Sequence, residues 1–335
     1  MRYLVTGATG FIGGRVARLL VRNGHSVRAL VRDPEKAADL ARLGMTLYRG
    51  DITDAKTLRD PMRGVDGLFH VAGWYEVGTR DAAAGARINV EGTRNVLQAM
   101  GDVGVPKGMY TSTIAVFSDT GGRVVDEGYR HDGPWLSAYD RTKWIAHFDV
   151  AEPMMRRGLP LVIVQPGMTY GPGDTSALRD TLIQYLRRRL PMAPQRTAMC
   201  WAHVDDTAEA HLLAMERGRP GESYIIGGPP HTLIGLFALA EEITGIPAPR
   251  WHPSPEVVRA FARLAGLAER IVRLPPSMTE EGLRVVAGVT YLGSNEKARR
   301  ELGYDPRPLR EGLRETLLHE MALLGIPAQR PPQGS

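Results

Sequence analysis

A tyrosine and a lysine four residues apart, Tyr139 and Lys143, are the pair in this sequence best suited to acid–base chemistry. Residues at this spacing share one face of a helix and can reach into a single cleft. An unperturbed phenol titrates near pH ~10, and a nearby ammonium stabilises the phenolate, so we expect Lys143 to lower the pKa of Tyr139. Tyr139 would then exchange a proton with a substrate oxygen. Thr113 can donate a hydrogen bond to the same oxygen and polarise it.

Three glycines near the start of the chain, Gly7, Gly10 and Gly13, follow a short apolar run and lead into a segment of helical period. Backbone N–H groups in such a loop, and the helix N-terminus beyond it, can hold a pyrophosphate. The spacing is one residue wider at its start than the usual dinucleotide fingerprint. A tight turn would explain the glycines alone. Upstream of the Tyr139 and Lys143 pair, they predict a nicotinamide dinucleotide and hydride transfer to or from a carbonyl carbon. The oxidised nicotinamide ring, a second cation, is expected to lower the pKa of Tyr139 together with Lys143.

Other cofactor contacts are expected where the strands end. Arg32 follows the second strand, where a guanidinium suits the 2′-phosphate of NADP(H) and an acid suits the ribose of NAD(H). Asp33 keeps NAD(H) open, and Arg28 is a weaker second cation, so the sequence favours NADP(H) over NAD(H). His70 is interpreted as a packed strand-end histidine. The predicted contacts are Gly7, Thr9, Gly10, Phe11, Ile12, Arg32, Asp51, Ile52, Ala72, Gly73 and Thr111.

Apolar runs alternate with segments of helical period through the first half, which is typical of βαβ units. Right-handed crossovers then give the α/β class with a doubly wound parallel sheet, a Rossmann fold. Strands are predicted over 3–5, 26–31, 46–48, 67–71, 108–112 and 160–164, and helices over 11–23, 34–43, 55–63, 81–100, 137–157 and 176–190. We expect a dinucleotide-binding domain over 1–167, a smaller C-terminal substrate-binding lobe over 168–325 with possible returns to the sheet, and a flexible tail over 326–335.

Two features of the expected lobe and its surroundings bear on the site. Asp206 and Glu209 have the spacing of a capping box and predict a helix start. Aromatic residues could form a wall for an apolar substrate, although core packing explains each one equally well. These residues are Trp74, Tyr75, Trp135, Tyr170 and Trp201.

The composition is that of a globular protein, and it limits the classes of partner that we expect. Hydrophobic residues make up 43%, charged residues 24%, and the formal charge is +5, which is too scattered for nucleic acid but favours an anionic cofactor. The single Cys200 fits a reducing compartment and a small buried hydrophobe. Nine histidines without ligand spacing predict no metal site. The first residues already form a strand, and no apolar run could span a bilayer, so we expect a cytoplasmic protein without a signal peptide, membrane partner or nucleic-acid partner.

These motifs together resemble the extended short-chain dehydrogenase/reductase family, also called the NAD-dependent epimerase/dehydratase family. The resemblance covers residues 6–13, 89–93, 111–116, 139–143, 165–172, 203–206 and 301–304. It implies a Ser/Thr-Tyr-Lys triad made of Thr113, Tyr139 and Lys143, with Lys143 also binding the nicotinamide ribose. It further implies that Pro166 and Met168 line the nicotinamide pocket. Members often dimerise through the fourth and fifth helices, so a homodimer is possible.

Some residues depart from the general pattern of the family, and they indicate which subgroup of the family the sequence resembles. Ile114 and Ala115 follow Thr113 where sugar-nucleotide 4,6-dehydratases carry an acidic pair, which argues against dehydration. Residues 31–34 and 110–113 are similar to those of dihydroflavonol, cinnamoyl-CoA and bacterial carbonyl reductases. The leading hypothesis is an NADP(H)-dependent oxidoreductase that reduces a small-molecule ketone or aldehyde, or oxidises an alcohol, with Tyr139 as general acid or base. A sugar-nucleotide epimerase with tightly bound NAD and a non-catalytic dinucleotide sensor stay open.

Overall fold

The structure is a computed structural model that describes residues 1–78 and 81–327. Its strands are β1 Arg2–Thr6, β2 Ser26–Val31, β3 Thr46–Arg49, β4 Gly67–His70, β5 Gly108–Thr111, β6 Leu161–Pro166, β7 Met168–Tyr170, β8 Ala198–His203, β9 Ser223–Ile226, β10 Pro230–Thr232 and β11 Thr290–Tyr291. Its α-helices are α1 Phe11–Arg22, α2 Ala38–Arg42, α3 Arg59–Met62, α4 Ala82–Gly85, α5 Thr93–Val103, α6 Ala138–Trp144, α7 Glu152–Arg156, α8 Ala177–Leu186, α9 Val204–Arg217, α10 Leu233–Thr244, α11 Pro255–Ala268, α12 Glu280–Arg284, α13 Glu296–Leu302 and α14 Leu309–Leu324.

Seven parallel strands form the main sheet in the order β3-β2-β1-β4-β5-β6-β9. The predicted Rossmann fold is confirmed, since the sheet is doubly wound and reverses its order between β1 and β4. Strand β9 comes from the second half of the chain and pairs with β6. All six residues of β6 are buried, as expected for a strand covered by helices on both faces. A dinucleotide would bind at the carboxyl ends of these strands, beside the reversal.

Two of the predicted helices are interrupted by π-helical turns. Residues Ala86–Gly92 join α4 to α5, and residues Ile145–Ala151 join α6 to α7. A π turn bonds residues five apart and occurs as a short turn inside an α-helix, so the helical period on either side of it predicts one continuous helix. These turns carry Asn89 and His147, two buried polar side chains.

Two further predicted helices are shorter than expected. The predicted helix over 34–43 contracts to α2, because Asp33 Oδ1 accepts hydrogen bonds from the backbone N–H groups of Glu35 and Lys36 and fixes a turn there. The predicted helix over 55–63 divides into a 3₁₀ turn at Ala55–Thr57 and α3. Pro61 lies inside α3 and has no N–H to continue a longer helix.

The C-terminal half builds a second, small sheet around β8, which pairs with β7, β10 and β11. The predicted start of α9 is confirmed, but the predicted capping box is wrong. His203 is the N-cap, and its Nδ1 accepts from the backbone N–H of Asp205. Asp206 instead accepts from the backbone N–H and guanidinium of Arg307. Such a bidentate charged pair satisfies the carboxylate better than a helix cap would.

Ile326 is the first residue of the predicted tail, and it has contacts with the rest of the protein. Ile326 donates its backbone N–H to the carbonyl of Met321 and packs against a core cluster. The rest of the predicted tail, residues 328–335, lies outside the described residues. Among the described helices, none is both long and apolar enough to cross a bilayer.

Candidate active site

The glycine loop lies between β1 and α1 and packs against the end of β4. Gly7 has a φ of +75°, and a Cβ on it would lie 2.6 Å from the backbone N of Ala72. A Cβ on Gly13 would lie only 2.2 Å from the carbonyl oxygen of Gly7. Both positions therefore require glycine, one for its backbone conformation and both for close approach. The loop and the first turn of α1 are held tightly together as a result.

The N-terminus of α1 has the donor set that a pyrophosphate requires. Gly10 caps the helix without a side chain, and no acidic residue lies in the first turn. Within the part of the chain that the structure describes, the N–H groups of Phe11, Ile12 and Gly13 have no acceptor. Free N–H groups at the positive end of a helix dipole bind anions. The residues present thus fit a dinucleotide, while Thr9 adds a short, exposed side chain beside them.

The three charged residues Arg28, Arg32 and Asp33, in β2 or just after it, make different contacts. Arg32 is exposed at the end of β2 and forms no ion pair with any described residue. Asp33 is occupied, because it caps the following turn and lies 3.4 Å from the ammonium of Lys36. Arg28, the weaker candidate of the sequence analysis, is excluded from this role because its guanidinium donates to the carbonyls of Pro61 and Arg63. Arg32 is therefore the free cation of this group.

The remaining predicted cofactor contacts lie at neighbouring strand ends. The Asp51 carboxylate accepts from the backbone and hydroxyl of Thr53, and Ile52 is buried against Gly92. The N–H of Ala72 donates to the Thr6 hydroxyl, so only its small side chain and carbonyl stay available. Gly73 is exposed in the same loop.

Thr113 and Tyr139 are brought together as predicted from the sequence. Thr113 lies just before the 3₁₀ turn Ile114–Phe117, and its Oγ1 accepts from the N–H of Ala115 at 3.1 Å. A hydroxyl accepts through a lone pair and donates through its hydrogen, so this bond does not use the hydroxyl hydrogen of Thr113. Burial raises the pKa of Tyr139, and the neighbouring Thr113 hydroxyl, which can donate to the phenolate, lowers it by a smaller amount. The two hydroxyl groups can therefore meet the same substrate oxygen.

Lys143 is buried and directed into the fold. Its Nζ donates to the carbonyl of Thr111 at 2.8 Å and to the hydroxyl of Tyr110 at 3.1 Å. Burial lowers the pKa of Lys143 to about 7. With two of three N–H bonds engaged, one donor remains for a ribose or for Tyr139.

Lys143 alone does not lower the pKa of Tyr139 below its usual value. Burial raises the pKa of Tyr139 well above that value, and the neighbouring Tyr75 and Asp140 raise it further. Burial also lowers the pKa of Lys143 itself, and its Nζ donates to Tyr110 and Thr111. The ring of Tyr75 meets that of Tyr139 edge-to-face at 4.8 Å between centroids. In this structure Tyr139 is thus a phenol that keeps its proton at neutral pH.

A chain of buried hydrogen bonds extends from Lys143 to the glycine loop. The Tyr110 hydroxyl bonds to Thr93, Thr93 Oγ1 lies 3.1 Å from His70 Nε2, and His70 Nδ1 lies 2.8 Å from Thr6 Oγ1. Burial, then the charge of Lys143, lowers the pKa of His70 to about 3. The interpretation of His70 as a packed, neutral histidine is confirmed. Its contacts also make it part of the scaffold that holds Lys143.

Two side chains that the sequence analysis did not assign to the site tie the loop after β4 to the catalytic helix α6. Asn89 bonds both the N–H and the carbonyl of Trp74 and donates to the hydroxyl of Thr142. Glu281 of α12 accepts from the N–H of Gly78 at 2.6 Å and from that of Ala138 at 2.5 Å. A family motif pointed to the surroundings of Asn89, but no sequence signal pointed to Glu281.

Thr111 contributes its backbone carbonyl to the site, whereas its side chain contacts His211. The hydroxyl lies 2.9 Å from His211 Nε2, and His211 Nδ1 lies 2.6 Å from the carbonyl of Thr207. His211 is fully buried. Burial lowers its pKa to about 4.

Replacing His211 by glutamine should make stability less sensitive to acid. An unfolded histidine titrates near ~6.5. Between pH 6.5 and 4 the unfolded chain therefore binds a proton that the folded protein refuses, and stability falls by up to about 1.4 kcal/mol per pH unit. The free energy of unfolding in urea, measured at pH 7 and pH 4.5, should differ less for His211→Gln than for wild type. The exposed His319→Gln should keep the wild-type difference; equal differences in all three proteins would contradict this prediction.

Only some of the residues predicted to line the nicotinamide pocket and to form an aromatic wall lie where the prediction requires. Pro166 ends β6 and is buried, and Met168 begins β7 and is half-buried. Tyr75 contacts Tyr139, but Tyr170 and Trp201 pack in the core, where they are 2% and 4% exposed. Trp135 packs on Trp144 instead. The prediction of one continuous wall is therefore wrong for Tyr170 and Trp201.

Cys200 is fully buried, and burial raises its pKa, which confirms a packing role.

Potential metal ligands lie within 4.8 Å of one another on His203, Asp205 and Glu315. Arg307 pairs with Glu315, and Arg15 lies 3.5 Å from Asp205. The two carboxylates are thus already neutralised by arginines.

Comparison with known proteins decides the family. The sequence profile of the NAD dependent epimerase/dehydratase family matches residues 3–227. The chain belongs to this family. A Synechocystis sp. protein that carries the name dihydroflavonol 4-reductase is 33% identical in an alignment that covers 94% of this chain and 93% of the relative. The 4-hydroxy-2-methyl-3-oxo-4-farnesyl-3,4-dihydroquinoline-1-oxide ketoreductase of Stigmatella aurantiaca is 35% identical in an alignment that covers 92% of each chain.

A comparison with solved structures supports the same family. The crystal structure of gox2253 has a TM-score of 0.83 and 33% identity to this chain, and the match covers 97% of this chain and 98% of the other. The resemblance seen in the sequence is confirmed. This member of the extended short-chain dehydrogenase/reductase family is an NAD(P)-dependent oxidoreductase, and its reductase relatives indicate carbonyl chemistry.

Proposed function

We propose that this chain is an NADP(H)-dependent reductase that converts a ketone or aldehyde into an alcohol, with Tyr139 as the proton donor. The observation that carries the proposal is the meeting of Thr113 and Tyr139 beside a buried Lys143. Two reductases among its relatives support the same reaction class. The name of the Stigmatella relative describes a ketoreductase for a compound that carries a farnesyl group, so we propose a carbonyl compound with a large apolar part as the substrate.

Each residue of the site has a defined part in this reaction. The free N–H groups of Phe11 and Ile12 would hold the pyrophosphate, and Lys143 would bind the nicotinamide ribose with its remaining donor. The nicotinamide supplies the hydride for reduction, or accepts it in the reverse direction. Thr113 donates its hydroxyl hydrogen to the carbonyl oxygen and stabilises the negative charge that develops there.

The raised pKa of Tyr139 favours the reductive direction. A phenol that keeps its proton at neutral pH is ready to act as the general acid for a developing alkoxide. Oxidation of an alcohol needs the phenolate instead, which burial disfavours. The proposed enzyme should therefore reduce carbonyl compounds at neutral pH and oxidise alcohols faster as the pH rises.

Arg32→Ala should reduce the preference for NADPH. An exposed, unpaired guanidinium at the end of β2 is suited to the 2′-phosphate. Removing one charge-assisted contact should lower kcat/KM with NADPH by roughly 10- to 100-fold and leave kcat/KM with NADH nearly unchanged. The measurement is the loss of absorbance of each cofactor with a panel of ketones and aldehydes. Arg42→Ala, which removes an exposed arginine of α2, is the matched control.

The same assays separate the alternatives. If Arg32→Ala lowers activity with both cofactors equally, Arg32 acts in folding and the proposed NADP(H) preference fails. If wild type turns over no carbonyl compound but retains stoichiometric NAD through purification, the epimerase becomes the better assignment. A dimer through the paired segments α4–α5 and α6–α7 stays a prediction, which sedimentation at several protein concentrations would test.

A further inference from the structure

Helix α11 is apolar on both of its sides. Val258 and Ala262 face inward, where they pack with Leu283 and Ala287. The outer side carries Leu264 and Leu267 and continues to Ile271 just beyond the helix, and these three are 61%, 56% and 86% exposed. A helix that is apolar all round is normally buried, and large exposed apolar patches mark binding surfaces. We therefore expect the outer side of α11 to be a binding surface.

Arginines border this apolar side. Arg263, Arg270 and Arg273 are exposed, and none forms an ion pair with any residue in the described ranges. By helical period, Arg263 lies along one edge of the stripe formed by Val257, Phe261, Leu264 and Leu267. Arg270 and Ile271 follow in the turn that ends α11, where their N–H groups donate to the carbonyls of Leu267 and Ala268. An apolar stripe with a basic edge is the pattern of helices that lie in a membrane interface.

We propose that this surface docks the protein onto a bilayer that contains anionic lipids. The docking surface consists of Val257, Phe261, Leu264, Leu267, Ile271 and Val272 together with the three arginines. The apolar side chains would enter the boundary of the acyl chains, and the arginines would meet lipid phosphates. The expected lack of a membrane partner was based on the length of apolar runs, which bears only on spanning a bilayer.

A second copy of the chain is a less suitable occupant. Most homodimers are two-fold symmetric, so the same surface of both copies would meet. Such an interface would bring the unpaired arginines of both copies together, which costs binding energy. The docking surface carries no exposed, unpaired acid that would offset them, since Glu256 pairs with Arg259. An anionic bilayer provides the missing negative charge.

The docking surface is also close in the chain to the candidate active site. The segment after it leads into α12, where Glu281 binds the backbone of Gly78 and Ala138. Docking would therefore hold the loop after β4 and the start of the catalytic helix near the bilayer. The proposal concerns binding alone and does not depend on the proposed reaction.

Sedimentation of the full chain with lipid vesicles tests the proposal. We expect binding to vesicles of equal parts phosphatidylglycerol and phosphatidylcholine, and weak binding to phosphatidylcholine alone. Binding should weaken between about 50 and 300 mM salt. Each arginine near the surface contributes roughly fivefold. The triple variant Arg263→Gln, Arg270→Gln, Arg273→Gln should therefore bind roughly a hundredfold more weakly.

Matched variants show whether this surface is responsible. Leu264→Ser, Leu267→Ser and Ile271→Ser together should also abolish binding, since they remove the inserted side chains. The control Arg22→Gln, Arg42→Gln, Arg94→Gln removes three exposed arginines elsewhere and should bind like wild type. The thermal unfolding midpoint checks that each variant folds. These substitutions affect exposed side chains, so we expect the midpoint to stay within a few degrees of wild type.

Three results would overturn the proposal. The first is the absence of wild-type binding to phosphatidylglycerol vesicles. The second is equal weakening in the control triple variant, which would mean that net charge alone attracts the protein. The third is a concentration-dependent dimer that the serine triple variant disrupts while no vesicle binding occurs, which would show that a second copy covers the surface.

Discussion

Tyr139→Phe is expected to lower kcat for carbonyl reduction by about two to four orders of magnitude, which is the usual contribution of a positioned general acid. The ring contact with Tyr75 and the buried position would be kept, because only one oxygen is removed. The dissociation constant for NADPH should stay nearly unchanged, since no predicted contact with the dinucleotide involves the phenol. Single-turnover absorbance of the reduced nicotinamide measures the first quantity, and a fluorescence titration of NADPH measures the second.

Tyr48→Phe is the matched control for this change. Tyr48 lies on β3 with its ring under the guanidinium of Arg28, away from the triad in the fold. This variant should keep wild-type kcat. If Tyr139→Phe retains full reductase activity, another group donates the proton and the proposed mechanism fails. If both wild type and variant bind NADPH equally but neither turns over, the chain acts as a sensor.

The parts of the site that depend on local sequence could be predicted. Gly7 and Gly13 follow a strand and begin a helix, so their chain neighbours already determine where they lie. Tyr139 and Lys143 share a face because four residues separate them on one helix. The identity of the strands followed from continuous apolar runs such as residues 160–164, since strands of a parallel sheet are buried on both faces.

The parts that depend on tertiary contacts could not be predicted. Glu281 binds Ala138 from 143 residues away in the chain, and this contact exists only because α12 folds back over the catalytic helix. The surroundings of Lys143, which bear on the pKa of Tyr139, depend on tertiary contacts too. A sequence shows that an ammonium lies four residues away, but it does not show that the carbonyl of Thr111 and the hydroxyl of Tyr110 hold that ammonium.

The second large effect is expected from Gly13→Ala, which adds one methyl group to the first turn of α1. The new Cβ would lie 2.2 Å from the carbonyl oxygen and 2.7 Å from the carbonyl carbon of Gly7. These are backbone atoms, so no side chain can rotate away, and the glycine loop must move as a whole. A displacement of about 1 Å in a binding loop can cost roughly 10²-fold. We expect NADPH to bind at least about 100-fold more weakly.

Stability should fall in the same variant despite the better helix propensity of alanine. Alanine in place of glycine inside a helix contributes about 0.5–1 kcal/mol, whereas overpacking costs about 1–3 kcal/mol. Gly101→Ala is the matched control, because Gly101 also lies within a helix and a Cβ added there would lie 3.4 Å from its nearest neighbour, Leu159 Cδ1. That variant should be as stable as wild type or slightly more stable, with unchanged NADPH binding. Wild-type NADPH affinity in Gly13→Ala would show that the pyrophosphate does not bind at this loop, and urea unfolding of both variants separates loss of binding from loss of fold.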